Sequence, residues 1–330
     1  MMNKISVLIP IYNDAENLDY LLHSISRSNI KELNYEILIG DGGSDDSILE
    51  VINSHTNLKL KHVVNPPKSS KSVNINTCLR IAQGEIIFLI DSHCMISKSY
   101  FQNGVRLLNE AKDCCGIGPC VEIVSRKQLK ISKAICSIYK SPFLLGPSKF
   151  KNSFFYKNYE GEVSTIFCGV FWKADMDLIF GFDESILRKQ DVIFLTQLKK
   201  KTGKKLKNSY TLKLEYILKQ STLDSFMKRI FTQGSLVYDD ISSSRIIHFI
   251  PLIALFSMLA IFYYDLQLAF ITFTLYLIIS FIFAYLETKN IFTSLIGGLV
   301  FPITHASYVA GNIYALSKIF ISIFVKINNK

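Results

Sequence analysis

The sequence predicts an α/β fold: a doubly wound, mostly parallel sheet over residues 1–240, followed by transmembrane helices over 241–330. Three observations lead there. Through residues 5–112, apolar β-type runs alternate with helical patterns of about 10 to 15 residues, as in parallel strands joined by crossover helices. Acidic residues stand at the carboxyl ends of two of those strands, where open α/β sheets bind ligands. The chain is 49% apolar, and its long uncharged runs are confined to the C-terminal part.

Ile5 to Tyr12 is a first strand. Asn13 or Asp14 then caps a helix carrying Leu18, Leu21, Leu22 and Ile25, with Glu16 placed as in a capping box. Tyr35 to Ile39 is a second strand and runs into Gly40-Asp41-Gly42-Gly43-Ser44-Asp45-Asp46. The glycines permit a tight turn, and Ser44 or Asp45 caps a helix with Ile48, Val51 and Ile52 inside. Leu58 to Val64 and Ser70 to Ala82 supply a third strand and a third helix. Ile86 to Ile90 then reads as a strand buried on both faces, ending on Asp91-Ser92-His93. Extended residues two apart share a face, so Asp91 and His93 offer an oxygen and a nitrogen to one side. That pair suits a divalent cation that also holds a diphosphate, and it equally describes a strand end meeting water. No Gly-x-Gly-x-x-Gly follows the first strand and no Walker lysine motif is present, which argues against dinucleotide dehydrogenases and P-loop enzymes.

Ser97 to Lys112 reads as a helix and Ile117 to Val124 as a strand. Residues 125–160 show no clear period and read as loop-rich structure. Their aromatic residues (Tyr139, Phe143, Phe150, Phe154, Phe155, Tyr156, Tyr159) are of the kind that stack on sugar, rest near lipid or simply pack. Glu162 to Trp172 follows, then Gly181-Phe182-Asp183-Glu184, then Gln190-Asp191 ahead of a helical Val192 to Lys200. Leu212 to Leu218 is a short strand, and an amphipathic helix over about 221–238 carries Leu223, Phe226, Met227, Ile230 and Phe231.

Charge and cysteine usage narrow the function. The net charge of +10 includes seven lysines between Lys199 and Lys213, just ahead of the apolar region. That placement favours anionic lipid headgroups, or plain solvation, over nucleic acid, for which no binding motif accompanies the charge. The seven cysteines form no disulfide framework and no finger-like metal spacing, so they read as reduced thiols. Lys4 to Tyr12 reads as a strand, not a secretory leader.

Three uncharged runs, about 246–264, 266–286 and 291–316, approach or exceed the length needed to cross a hydrocarbon core of about 30 Å. The third holds Gly297, Gly298, Pro302 and Gly311, and reads as a span or as a segment that enters and returns. Lysines before Ile246 and after Leu316, with none at Asp265, place the N-terminal domain in the cytoplasm. His305 reads as a satisfied polar residue in a packed bundle.

Val7-Leu8-Ile9-Pro10-Ile11-Tyr12-Asn13-Asp14, Asp41-Gly42-Gly43-Ser44-Asp45-Asp46, Asn74-Ile75-Asn76 with Ala82-Gln83-Gly84-Glu85-Ile86-Ile87, and Asp91-Ser92-His93 together resemble the successive motifs of family 2 glycosyltransferases with the GT-A fold. The Asp-x-His form is similar to bacterial exopolysaccharide enzymes of the succinoglycan glucosyltransferase kind. The resemblance covers about residues 4 to 240. It implies that Pro10, Tyr12 and Asp14 line the base and ribose pocket of a nucleotide-sugar and that Asp41 bonds the base or ribose. It implies that Asp91 and His93 hold the donor diphosphate through Mg²⁺ or Mn²⁺. It makes Asp191 the catalytic base, although Gln190 stands where the family has Glu, and an ordinary helix N-terminal acid is the other reading. Phe194 and Gln197 depart from the family's more polar usage and bear on the acceptor. Arg229 and Gln233 are candidates to close over the diphosphate, without the full Gln-x-x-Arg-Trp pattern; a membrane-surface helix is the alternative.

The expectation is therefore a membrane-anchored inverting hexosyltransferase of the bacterial cytoplasmic membrane. It would use a nucleotide-sugar, a UDP-sugar by preference, and a lipid-linked oligosaccharide in exopolysaccharide, capsule or O-antigen assembly, alongside other assembly proteins. A polyprenyl-phosphate glycosyltransferase and an inactive nucleotide-sugar-binding subunit of a membrane complex are the alternatives.

Overall fold

The computed structural model describes residues 4–127, 129–145, 159–186, 189–219, 222–238 and 249–328. Phe150, Phe154, Phe155 and Tyr156, residues 246–248 of the first apolar run and position 221 of the amphipathic helix lie outside them. The chain divides into two compact units, Met1–Val124 with Lys149–Ile217, and Ser125–Ser148 with Leu218–Lys330. Ser125–Ser148 and the stretch from Leu218 thus group with the C-terminal helices.

The first unit carries β1 Ile5–Ile11, β2 Tyr35–Asp41, β3 Leu60–Val64, β4 Ile86–Leu89, β5 Cys94–Ile96, β6 Cys114–Val124, β7 Gly161–Val163, β8 Gly169–Trp172 and β9 Lys205–Ile217. Among the described residues these form one sheet in the order β3-β2-β1-β4-β8-β6-β9-β5, with β7 also on β9. Neighbours from β3 through β4 are parallel, as the alternating pattern requires; β8 is antiparallel to both β4 and β6, so the sheet is mixed beyond β4. Helices α1 Ala15–Ser26, α2 Ile48–Ser54, α3 Lys71–Ile81 and α4 Tyr100–Glu110 connect the early strands. Alternation along β1 explains how both faces are covered. Val7 and Ile9 join a core with Leu18 and Leu22 of α1, while Leu8 joins a second with Ile75 and Leu79 of α3. Gly40 lets α3 lie close, since a Cβ there would sit 2.3 Å from the Asn74 carbonyl oxygen. The seven cysteines are free thiols, as composition suggested.

Two cap expectations are corrected. Asp14 stands at the N-cap of α1 without a side-chain cap bond, and Asp46 Oδ2 instead accepts from Ala15 N at 2.8 Å. Ser47, not Ser44 or Asp45, is the N-cap of α2. Both side chains first proposed as caps are drawn into the ligand-end loops described below.

In the second unit the segment expected to be loop-rich holds two helices, α5 Lys130–Lys140 and α6 Pro142–Leu145. The pattern is helical after all: Ala134, Ile135, Ile138 and Tyr139 are buried on one side of α5. Helices α7 Lys173–Asp177 and α8 Gln190–Thr202 return to the first unit. The remaining helices are α9 Leu223–Ser235, α10 Ile250–Tyr264, α11 Leu266–Thr288 and α12 Ile291–Asn328. Leu266–Thr288 and Ile291–Ile321 are long and apolar enough to cross a membrane. Helix α10, at 15 residues, reaches only about 22 Å and falls short of a span over its described length. Helix α12 runs uninterrupted through the glycines and Pro302, as in the first of the two readings, a span. Its glycines serve packing: a Cβ on Gly297 would lie 2.8 Å from the Ala284 Cβ, and one on Gly311 2.1 Å from the Phe231 carbonyl oxygen. His305 is a satisfied polar residue, with Nδ1 2.7 Å from the Tyr276 hydroxyl and Nε2 3.1 Å from the Phe143 carbonyl oxygen.

Candidate active site

The site is assembled at the carboxyl ends of β1, β2 and β4. β1 brings Pro10, buried opposite Gly40 of β2, and releases Tyr12 as a 41% exposed ring at the ligand end. Asn13 takes a left-handed backbone (φ 47°). Its amide N–H donates to Ser44 Oγ at 2.9 Å and its side-chain oxygen accepts from Asp45 N at 3.0 Å, locking the β1 loop to the β2 loop. Asp41, the last residue of β2, is buried; its Oδ1 accepts from the Ser44 amide and hydroxyl, and its Oδ2 lies 3.0 Å from His62 Nε2. Asp14 accepts from Asn17 and, at 2.6 Å, from the Ser92 hydroxyl, which joins β1 to the Asp91-Ser92-His93 loop. His93 Nδ1 lies 3.9 Å from Asp14 Oδ2, and the imidazole meets the Tyr216 ring edge-on at 4.8 Å.

Asp91 lies just past β4, and its amide donates to Cys168 Sγ at 3.4 Å. Its carboxylate is met by an amine that motif reading overlooked. Lys71 Nζ is 2.9 Å from Asp91 Oδ1 and 3.1 Å from Oδ2, and 3.4 Å from each oxygen of Asp191. One ammonium thus gathers both acids. Burial disfavours charge on Lys71, but Asp91 and then Asp191 outweigh it and raise its pKa. The sequence held one signal for this residue: Ser70 caps α3 through Val73 N at 3.3 Å, which makes Lys71 the first helical residue at the ligand end.

Asp191 sits in the first turn of α8 with its side chain half-exposed, open to a second substrate. The neighbouring Gln190 amide donates to the Ile186 carbonyl and so shapes the preceding turn. That approach is held from the other side by Asn76 of α3, whose Nδ2 donates to the Phe182 carbonyl at 2.7 Å and whose Oδ1 accepts from Phe182 N at 2.8 Å. Gly181 must be glycine here: its φ is +83°, and a Cβ would lie 2.4 Å from Asn76 Oδ1. Lys71, Asp91, Cys168 and Asp191 line a pocket whose other walls are apolar, among them Ile166, Phe171 and Phe194. Phe194 stacks on Phe182 at 4.0 Å, so it serves the wall and not the acceptor face alone.

Arg229 stands in the second unit on α9, where its guanidinium donates to the Tyr139 hydroxyl at 2.7 Å.

The donors on offer to a divalent ion are few. Among the described residues no group of three or more His, Cys, Asp or Glu side chains is arranged to hold a metal. Asp91 and His93 would supply two donors, and Mg²⁺ or Mn²⁺ typically takes one or two protein ligands and fills its shell from phosphate and water.

Comparisons with known proteins give the family and the fold. The profile "Glycosyl transferase family 2" matches residues 6–174, and the chain belongs to that family. It is a glycosyltransferase. The chain is 25% identical over 246 residues to the dolichyl N-acetyl-α-D-glucosaminyl phosphate 3-β-D-2,3-diacetamido-2,3-dideoxy-β-D-glucuronosyltransferase of Methanococcus voltae, covering 71% of this chain and 73% of that one. It is 26% identical to the poly(ribitol-phosphate) β-N-acetylglucosaminyltransferase TarS of Staphylococcus aureus, over 33% of this chain and 19% of that one. The crystal structure of S. aureus TarS 1-349 superposes with a TM-score of 0.51 at 14% identity, over 96% of this chain and 92% of that one, and shows the shared fold.

Proposed function

We propose that this chain is a membrane-anchored inverting hexosyltransferase that moves a sugar from a nucleotide-sugar, a UDP-sugar in the first instance, to a lipid-linked saccharide. The observation that carries the reading is the single ammonium of Lys71 within 2.9 Å of Asp91 and 3.4 Å of Asp191. It puts a diphosphate-side acid and a half-exposed acid at one pocket, as a one-step displacement needs. The Methanococcus relative, named for a lipid-phosphate-linked sugar acceptor, supports the acceptor class. The two apolar helices support anchoring, and the flanking lysines support a catalytic unit on the cytoplasmic side.

In this reading Pro10, Tyr12, Asp14 and Asp41 bind and orient the nucleoside. Asp91 and His93 would hold Mg²⁺ or Mn²⁺, which when bound neutralises charge on the departing diphosphate. Asp191 takes the proton of the acceptor hydroxyl as the new C–O bond forms, and its exposure lets that hydroxyl approach. Ile166, Phe171 and Phe194 keep water from the reacting carbon.

Purified protein in detergent, offered a panel of nucleotide-sugars with Mn²⁺, should release nucleoside diphosphate from one of them. Asp191→Asn should lower kcat for acceptor glycosylation by about 10²–10⁴-fold with donor KM little changed. Full turnover of Asp191→Asn would point instead to an already ionised lipid phosphate as acceptor. Nucleotide-sugar binding with no release under any condition would identify a non-catalytic subunit.

A further inference from the structure

We propose that Lys71 is the resident counter-ion of the donor site: its ammonium bridges Asp91 and Asp191 before donor binds and competes with a divalent ion for the Asp91 carboxylate. Tight entry of the ion then requires the diphosphate to arrive with it. The inference rests on the reading of Asp91 as the metal-binding carboxylate.

The geometry is specific. Both Asp91 oxygens lie 2.9 and 3.1 Å from Nζ, so the ammonium covers the face an ion would use. Lys71 cannot drift away with a loop. Ser70 caps its helix, Asn74 Nδ2 donates to the Ile11 carbonyl of β1, and Asn76 grips the Phe182 backbone. Only side-chain rotation moves the ammonium, and Asp191 lies within the same reach. The charge arithmetic gives the order of events. Two carboxylates and one ammonium leave one net negative charge beside apolar walls, where screening is weak. A divalent ion alone makes that sum positive and faces an ammonium across a shared carboxylate. A diphosphate reverses the sum and offers the displaced ammonium new oxygens. Metal and diphosphate therefore bind with positive coupling, and Lys71 is the positioning residue through which they couple.

The experiment titrates Mn²⁺ alone into the full-length protein in detergent, following free Mn²⁺ by electron paramagnetic resonance. Melting temperature verifies that each variant is folded. Lys71→Gln should bind Mn²⁺ about tenfold more tightly than wild type, with Lys71→Met as a second uncharged variant. Lys71→Arg should stay close to wild type. Lys98→Gln, which removes an equal charge from an exposed side chain, should change nothing. Asp91→Asn should abolish the binding. Equal or weaker binding by both uncharged Lys71 variants, with Asp91→Asn still abolishing it, would overturn the counter-ion role and leave the metal reading standing. Unchanged Mn²⁺ binding in Asp91→Asn would overturn the metal reading beneath it.

Discussion

Asn76 governs the candidate base from a distance. Its amide bonds both the N–H and the carbonyl of Phe182, in the stretch that precedes α8. Asn76→Ala would leave a buried N–H and C=O without those partners, a cost of about 1–3 kcal/mol. It should lower the melting temperature and, by loosening the turn before Asp191, reduce kcat more than donor KM. A variant with wild-type kcat would show that the turn is held by other contacts. The thiols set a second residue-scale expectation. Burial pushes Cys78 up to about 12 and Cys114 up to about 11. Unfolded thiols ionise near pH 8.5, so above that pH the unfolded chain binds fewer protons than the folded one and stability falls until the folded thiols also ionise. The denaturation midpoint should therefore drop between about pH 9 and 11, and Cys78→Ala should flatten the slope. The strand-end acids could be singled out from sequence because they stand where apolar runs end, on the ligand side of an open α/β sheet. Lys71 could not, since a lysine in the first turn of a helix looks like any solvated one until its two partners, distant in sequence, are folded beside it.

The same limit operates on whole elements. Parallel strands β1 to β4 were legible because each is a short apolar run bounded by turn residues, and the two faces of β1 demand helices on both sides. Helix α5 was hidden because its segment mixes lysines and aromatic residues with Pro142, Gly146 and Pro147 close behind, and its apolar face finds its partners in α9, α11 and α12, far away in sequence. Helix α12 was left between two readings because its glycines do not show in sequence whether they turn the chain or permit contact between backbones. Here they do the second: a Cβ on Gly234 of α9 would lie 2.1 Å from the Tyr308 carbonyl oxygen, and one on Gly311 equally close to that of Phe231. The two glycines face reciprocal carbonyls at one helix crossing. Gly311→Ala or Gly234→Ala should each force the helices apart at a cost of about 1–3 kcal/mol, read as a lower melting temperature in detergent. Gly203→Ala is a poor control despite the open space around it, because its φ of +67° strains any L side chain.

At the scale of the whole molecule, the chain leaves its α/β unit after Val124, contributes Ser125–Ser148 to the helical unit, and returns. A glycosyltransferase domain cut at its apparent end is therefore not self-sufficient. A chain ending at Ile217 would keep all nine strands and the Lys71–Asp91–Asp191 group but would strip α9, α11 and α12 from α5. Ile135, Ile138 and Tyr139, buried in the intact protein, would then face solvent as a contiguous patch on one side of a helix. The truncated protein should aggregate or partition into detergent although it lacks both long apolar helices, and should bind an apolar dye strongly. Adding Ile135→Gln and Ile138→Lys to the truncated chain should restore solubility and recover Mn²⁺ binding, because neither side chain belongs to the donor pocket. The same pair in the full-length chain should destabilise the helical unit by removing buried apolar surface, about 2–5 kcal/mol for each large side chain lost from a packed site. Opposite effects of one substitution pair in the two backgrounds would establish that α5 serves the helical unit. A truncated chain that is soluble without them would mean that α5 finds another partner within the catalytic unit.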